Sequence, residues 1–219
     1  MFKNVLCCAA MCVAASTAAQ AQEAILSFGF TELSGGYSTA STQFSAVGVD
    51  TASLRSTGDV TRLQGPSSTA QYLPGAAAGL VNVNLAVSGI TPTTANGAGT
   101  LAIMDVNGDM LTANIAGQFS NMGTAVFFNG LLSNAQFVSV SGDGLFNGPS
   151  GGSFPLTFAP ATAPYNGAIF ELFVGTPGNF FTGDFSGVSV QVSGAVTPAP
   201  ASLALLGLGA AFAARRRRA

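Results

Sequence analysis

Residues 81–88 read Val-Asn-Val-Asn-Leu-Ala-Val-Ser, apolar at every second position. Successive side chains of a strand point to opposite faces, so this spacing builds a half-buried strand and cannot cover one side of a helix. Leu26, Phe28 and Phe30 alternate in the same way with Ser27, Gly29 and Thr31. Val188, Val190 and Val192 alternate with Ser189, Gln191 and Ser193. Less regular strands are expected at 43–49, 59–64, 99–106, 110–117, 124–128, 136–141, 154–158 and 168–174. Gly, Pro, Asn and Ser clusters separate them, and loops are expected at 34–42, 64–78 and 147–153. Short strands in this rhythm predict an all-β fold, either sandwich or barrel, and an antiparallel jelly-roll-like β-sandwich is the expectation. No fixed repeat supports a solenoid.

Asn107-Gly108 stands between two of the alternating runs. Such a pair supplies the positive φ angles of a two-residue type I′ turn, so 100–106 is expected to pair with 109–117.

The two ends of the chain differ from this pattern. Lys3, an apolar stretch over 5–15 and Ala19-Gln20-Ala21 make a signal peptide over 1–21, with Ala19 and Ala21 at its cleavage site. All three cysteines (Cys7, Cys8, Cys12) lie inside it. The exported body, 22–195, is the size of one domain and has no cysteine, which excludes disulfides and thiolate metal sites. At the other end, Pro198-Ala199-Pro200 precedes an uncharged apolar run over 201–214 and then Arg215, Arg216, Arg217 and Arg218. Fourteen helical residues reach roughly 21 Å, short of a bilayer core of about 30 Å. A transient hold in the membrane is therefore expected, with the arginines as its cytoplasmic stop.

The order Pro-x-Pro, Leu/Ala/Gly helix, basic cluster resembles the PEP-CTERM sorting segment of Gram-negative bacteria, here over 196–219 with Pro-Ala-Pro in place of Pro-Glu-Pro. The resemblance implies an exosortase-type processing enzyme as partner, transient residence in the inner membrane, and delivery to the cell surface or an exopolysaccharide (biofilm) matrix.

Charge limits what the body can meet. Of the basic residues only Arg55 and Arg62 belong to it, against all nine acids, a balance of −7 with no lysine and no histidine. Nucleic acid is excluded as a partner, since its binding rests on neutralising phosphates. Missing histidine and cysteine remove Ser-His-Asp and Cys-His catalysis. Paired carboxylates stay open, but most of the aspartates border turns, where Asp is favoured by geometry. Glu171, amid a strong strand, is expected to face solvent. No enzyme is expected.

Asp105, Asn107 and Asp109 are spaced like the start of a calcium loop. The sixth and twelfth positions, Met110 and Ala116, lack the glycine and bidentate glutamate such a loop needs. A hairpin tip is the primary expectation and a weak calcium site the alternative; otherwise no cofactor is expected. Phe127-Phe128 and Phe180-Phe181 are expected to place one ring of each pair on the outer face. Tyr37, Tyr72 and Tyr165, beside loops, are the candidates for stacking on a ligand. The body is expected to be structural or adhesive. The alternative is a polysaccharide-binding module, with or without calcium, and a carboxylate glycan hydrolase ranks last.

Overall fold

The computed structural model describes residues 24–155, 168–175 and 180–197. The signal peptide, the helix at 201–214, Tyr165, the Pro-Ala-Pro segment and the four terminal arginines lie outside the described residues.

Twelve strands follow one another, with no helix among the described residues. They are β1 (Leu26–Ser38), β2 (Gln43–Val47), β3 (Thr57–Arg62), β4 (Ser68–Tyr72), β5 (Val81–Ser88), β6 (Thr94–Met104), β7 (Met110–Asn121), β8 (Ala125–Val138), β9 (Leu145–Asn147), β10 (Ser153–Pro155), β11 (Ala168–Gly175) and β12 (Phe185–Val196). Ten of them form one sheet in the order β12-β11-β8-β7-β6-β5-β2-β1-β3-β4, and β12 pairs again with β1. The remaining two, β9 and β10, make a small ladder of their own.

The all-β antiparallel expectation is met. The jelly-roll expectation of two facing sheets is corrected: one continuous sheet curls until its last strand meets its first. The reason lies in strand length. Five strands run 11–14 residues, and strand twist accumulated over so many neighbours curls a sheet on itself. Pairing β12 with β1 removes two exposed edges.

β1 makes this closure possible. Along one edge it pairs with β12; along the other, Leu26–Thr31 pair with β3 and Ser34–Ser38 pair with β2. The hand-over falls at Glu32, which has φ 57° at a register shift between Phe30 and Leu33. An extra residue there bends the strand so that β3 and β4 can leave the ring.

Two expected loops are partly strand. β1 continues through Gly35 and Gly36 to Ser38. A Cβ at Gly35 would stand 2.3 Å from the Val190 side chain of β12, so this glycine marks a close approach of strands and not a turn. Within 64–78, β4 forms because Ala70 and Tyr72 are buried and the Tyr72 ring packs edge-on to Phe30 at 5.1 Å. That contact is tertiary and has no local signature.

The inward residues follow the alternation along the strands, interrupted where β1 and β8 shift register: Val81, Val83, Leu85 and Val87 of β5 are all buried. Phe44, Phe119, Phe128 and Phe181 pack their rings together, and Tyr37 meets Phe181 at 4.8 Å. Phe180 and Phe181 are both buried and sit in the turn before β12, which corrects the expectation of one exposed ring. Phe127-Phe128 behaves as expected: Phe128 is buried and Phe127 is 40% exposed. A second ring cluster, Phe137, Phe146 and Phe154, sits under the β9–β10 ladder.

Candidate functional site

The turn between β6 and β7 holds the three residues singled out as oxygen ligands. The hairpin exists, but its register is not that of a two-residue turn. Met104 faces Met110, Ile103 faces Leu111 and Leu101 faces Ala113, leaving a five-residue loop, Asp105–Asp109. Among its residues only Gly108 has positive φ, at 90°. Pairing Val106 with Asp109 would have set inward Leu101 against outward-facing Asn114. A one-residue slip puts apolar side chains on the wrong face, so the core overrules the turn preference.

The longer loop is filled by carboxylates. Asp105 and Asp109 are 1% and 0% exposed. Oδ1 of Asp105 accepts the N–H groups of Asn107 (2.7 Å) and Asp109 (2.9 Å), and Oδ2 accepts that of Asn147 (2.9 Å). Oδ1 of Asp109 accepts the N–H groups of Val140 and Ser141 (2.8 Å to the latter), and Oδ2 accepts the Ser141 hydroxyl at 2.7 Å. Asp143 completes the set. It accepts the Leu145 N–H at 2.8 Å and the side-chain amides of Asn107 and Asn147, each at 3.1 Å. The three aspartates clasp the β6–β7 turn to the 139–147 loop.

Burial raises the Asp109 pKa, but the hydrogen bonds from Ser141, Val140 and Ser139 outweigh it and hold the carboxyl below the usual range. Asp143 is also held low, chiefly by the Leu145 N–H. These oxygens are engaged by donors. Among the described residues no group of three or more Asp, Glu, His or Cys is placed to hold a metal ion.

A second polar place is a cleft of about 480 Å³ bordered by Tyr37, Ser41, Gln43, Ser45, Asp184 and Phe185. Asp184 accepts the Thr39 N–H (2.7 Å) and hydroxyl (2.6 Å), and these bonds lower its pKa. Burial first, then the Asp184 charge, raises the pKa of Tyr37.

The stacking candidates fare differently from their expectation. Tyr72 is 1% exposed and its hydroxyl donates to the Met104 carbonyl at 2.8 Å, so it is a core residue joining β4 to β6. Tyr37 is buried too, edge-on to Phe181, and only borders the cleft. Glu171 lies on β11, where its backbone pairs with Asn129 and Ser193; its side chain is outside the described part. Elsewhere Arg55 donates from Nε to Asp50 at 2.9 Å, an exposed pair worth at most about 1 kcal/mol.

The sequence reading missed the burial of Asp105 and Asp109. The available signal was the pair of Asp/Gly turns, 105–109 and 141–144, which form one polar unit only when both hairpin ends meet.

Compared with known proteins, residues 196–218 match the family model of the PEP-CTERM protein-sorting motif. Segments of this kind direct exported proteins to exosortase sorting at the membrane and on to the cell surface. No curated protein and no solved structure matches the chain. The matched segment starts at Val196, the last residue of β12, whose carbonyl accepts the Ile25 N–H at 2.8 Å.

Proposed function

We propose that this chain is an exported, non-catalytic β protein that serves a structural or adhesive role at the cell surface or in an exopolysaccharide matrix. Residues 201–214 hold it briefly in the inner membrane, with Arg215–Arg218 in the cytoplasm. An exosortase-type enzyme processes it near Pro198-Ala199-Pro200. The observation that carries this reading is the sorting-motif match over 196–218. It is supported by the position of that match, which begins at the last residue of β12, so the delivered part includes the curled sheet formed by the described strands.

The body supports a role without turnover. Its buried carboxylates accept backbone N–H groups, and it has no histidine to shuttle protons. The test is the intact mass and location of the protein in its own host. Wild type is expected at the surface, shortened at both ends. Replacing Arg215–Arg218 with neutral residues is expected to abolish the cytoplasmic stop, so that unprocessed protein accumulates away from the surface. Unchanged mature mass and display in that variant would reject the sorting role of the tail.

A further inference from the structure

The strand register lays one line of hydrogen-bonding side chains across the outside of the curled sheet. Asn96 of β6 pairs with Gln118 of β7, and Gln118 with Asn129 of β8. On β11 the same line passes through Glu171, which pairs with Asn129 on one side and with Ser193 of β12 on the other, and Ser193 pairs with Gly29 of β1. Asn96, Gln118, Asn129 and Ser193 are all exposed. From β6 to β1 the line crosses five strand intervals, roughly 24 Å along the sheet at about 4.8 Å each.

Two further features make this line more than a polar surface. On β8 the outward neighbours of Asn129 are Phe127, 40% exposed, and Leu131, 59% exposed, so an amide stands between two apolar groups. Beside them Phe127, Asn129, Gln191, Ser193 and Gly29 border a hollow of about 410 Å³. A Cβ added at Gly29 would meet nothing within 4 Å, so that end of the hollow is open. In addition, β5, β6, β7, β8 and β12 contain no charged residue, and the one charged residue of β11 is the acid Glu171, so none of these strands carries a cation.

We infer that this outer face binds an extended, uncharged polysaccharide lying across the strands. The chemistry selects that occupant. A polyanion finds no cation on these strands. A second copy of the sheet would bury rows of amides in an interface whose core is normally apolar, at a cost for every amide left unpaired. Sugar rings present hydroxyls beside C–H faces, and the Asn129 amide between Phe127 and Leu131 offers a partner for each. Weak contacts repeated on successive strands add up along one polymer chain. The inference deepens the adhesive reading by naming its partner, and it concerns the sheet alone, so it can fail while the tail still sorts the protein.

The experiment is native affinity electrophoresis of the purified full-length protein through gels containing hydroxyethyl cellulose, dextran or alginate. Retardation by at least one neutral glucan and none by alginate is expected. The Gln118→Ala/Asn129→Ala double variant should bind that glucan at least about tenfold more weakly, with its melting temperature unchanged. Phe127→Ser should weaken binding independently, which separates stacking from hydrogen bonding. Absence of retardation in both neutral gels, equal retardation by alginate, or full binding by the double variant would overturn the inference. So would a dimer in solution that the same substitutions dissociate, since the face would then belong to a second copy.

Discussion

At one end of β7, Phe119 lies among the rings of Phe44, Phe128 and Phe181, with centroids 4.6–5.6 Å away. At the other end, Asp109 precedes the strand and is equally hidden, but its neighbours are N–H and O–H donors. Both regions exclude water. The aromatic end is held by contact area, which is non-directional and survives small shifts. The aspartate end is held by a complete set of directed bonds, and a buried donor left without its acceptor costs more than the bond contributed. Charge also separates them: one end titrates and the other does not.

Removing a ring should have the largest effect. Phe119→Ala is expected to cost about 3–5 kcal/mol, read as a shift in the denaturant midpoint, because three rings lose contacts at once. Asp109→Ala is expected to cost about 2–4 kcal/mol, since Val140 and Ser141 lose their acceptor. Asp109→Asn, which keeps an oxygen but loses the charge, should cost about 1–2 kcal/mol. If Asp109→Ala costs no more than a surface change, the aspartate clasp contributes nothing and the contrast between the two ends disappears.

Acid should separate the regions more finely. The Asp109 carboxyl is held low in the folded protein, so its contribution is fully present above the unfolded carboxylate pKa of about 3.9. That contribution is lost as pH falls through the folded value. Asp143 and Asp184, also held low, act with the same sign. Denaturant midpoints measured from pH 6 down to pH 2.5 should therefore fall in wild type and in Phe119→Leu alike, and fall less in Asp109→Asn. A parallel fall in all three would place the titrating groups elsewhere.

The smallest expected effect is that of calcium. With Asp105 and Asp109 already accepting backbone hydrogen bonds, adding calcium or EDTA is expected to leave the melting temperature unchanged. A calcium-dependent rise that Asp109→Asn abolishes would make the clasp an ion site after all.

Much of this is legible in the sequence alone. The alternation over 81–88 gives β5 and its inward face directly, because a strand's two-residue period is a local property. The sorting tail is a linear motif and needs no fold to be recognised. The loop-like stretch 34–42 was misleading, since Gly35 and Gly36 resemble a turn until β12 lies against them. Tyr72 looked available for a ligand because its partners, Phe30 and the Met104 carbonyl, are 42 and 32 residues away.

Local periodicity and composition thus set the regular strands and their inward faces, the absence of cysteine and histidine after Cys12, and the sorting tail. Each follows from neighbours in the chain. The closure of β12 on β1, the register at Asp105–Asp109, the burial of two aspartates and the line of amides on the outer face follow from pairing between distant segments. Such pairing is selected by which register buries apolar side chains and leaves every buried carboxylate with its donors. That choice is made over the whole sheet at once.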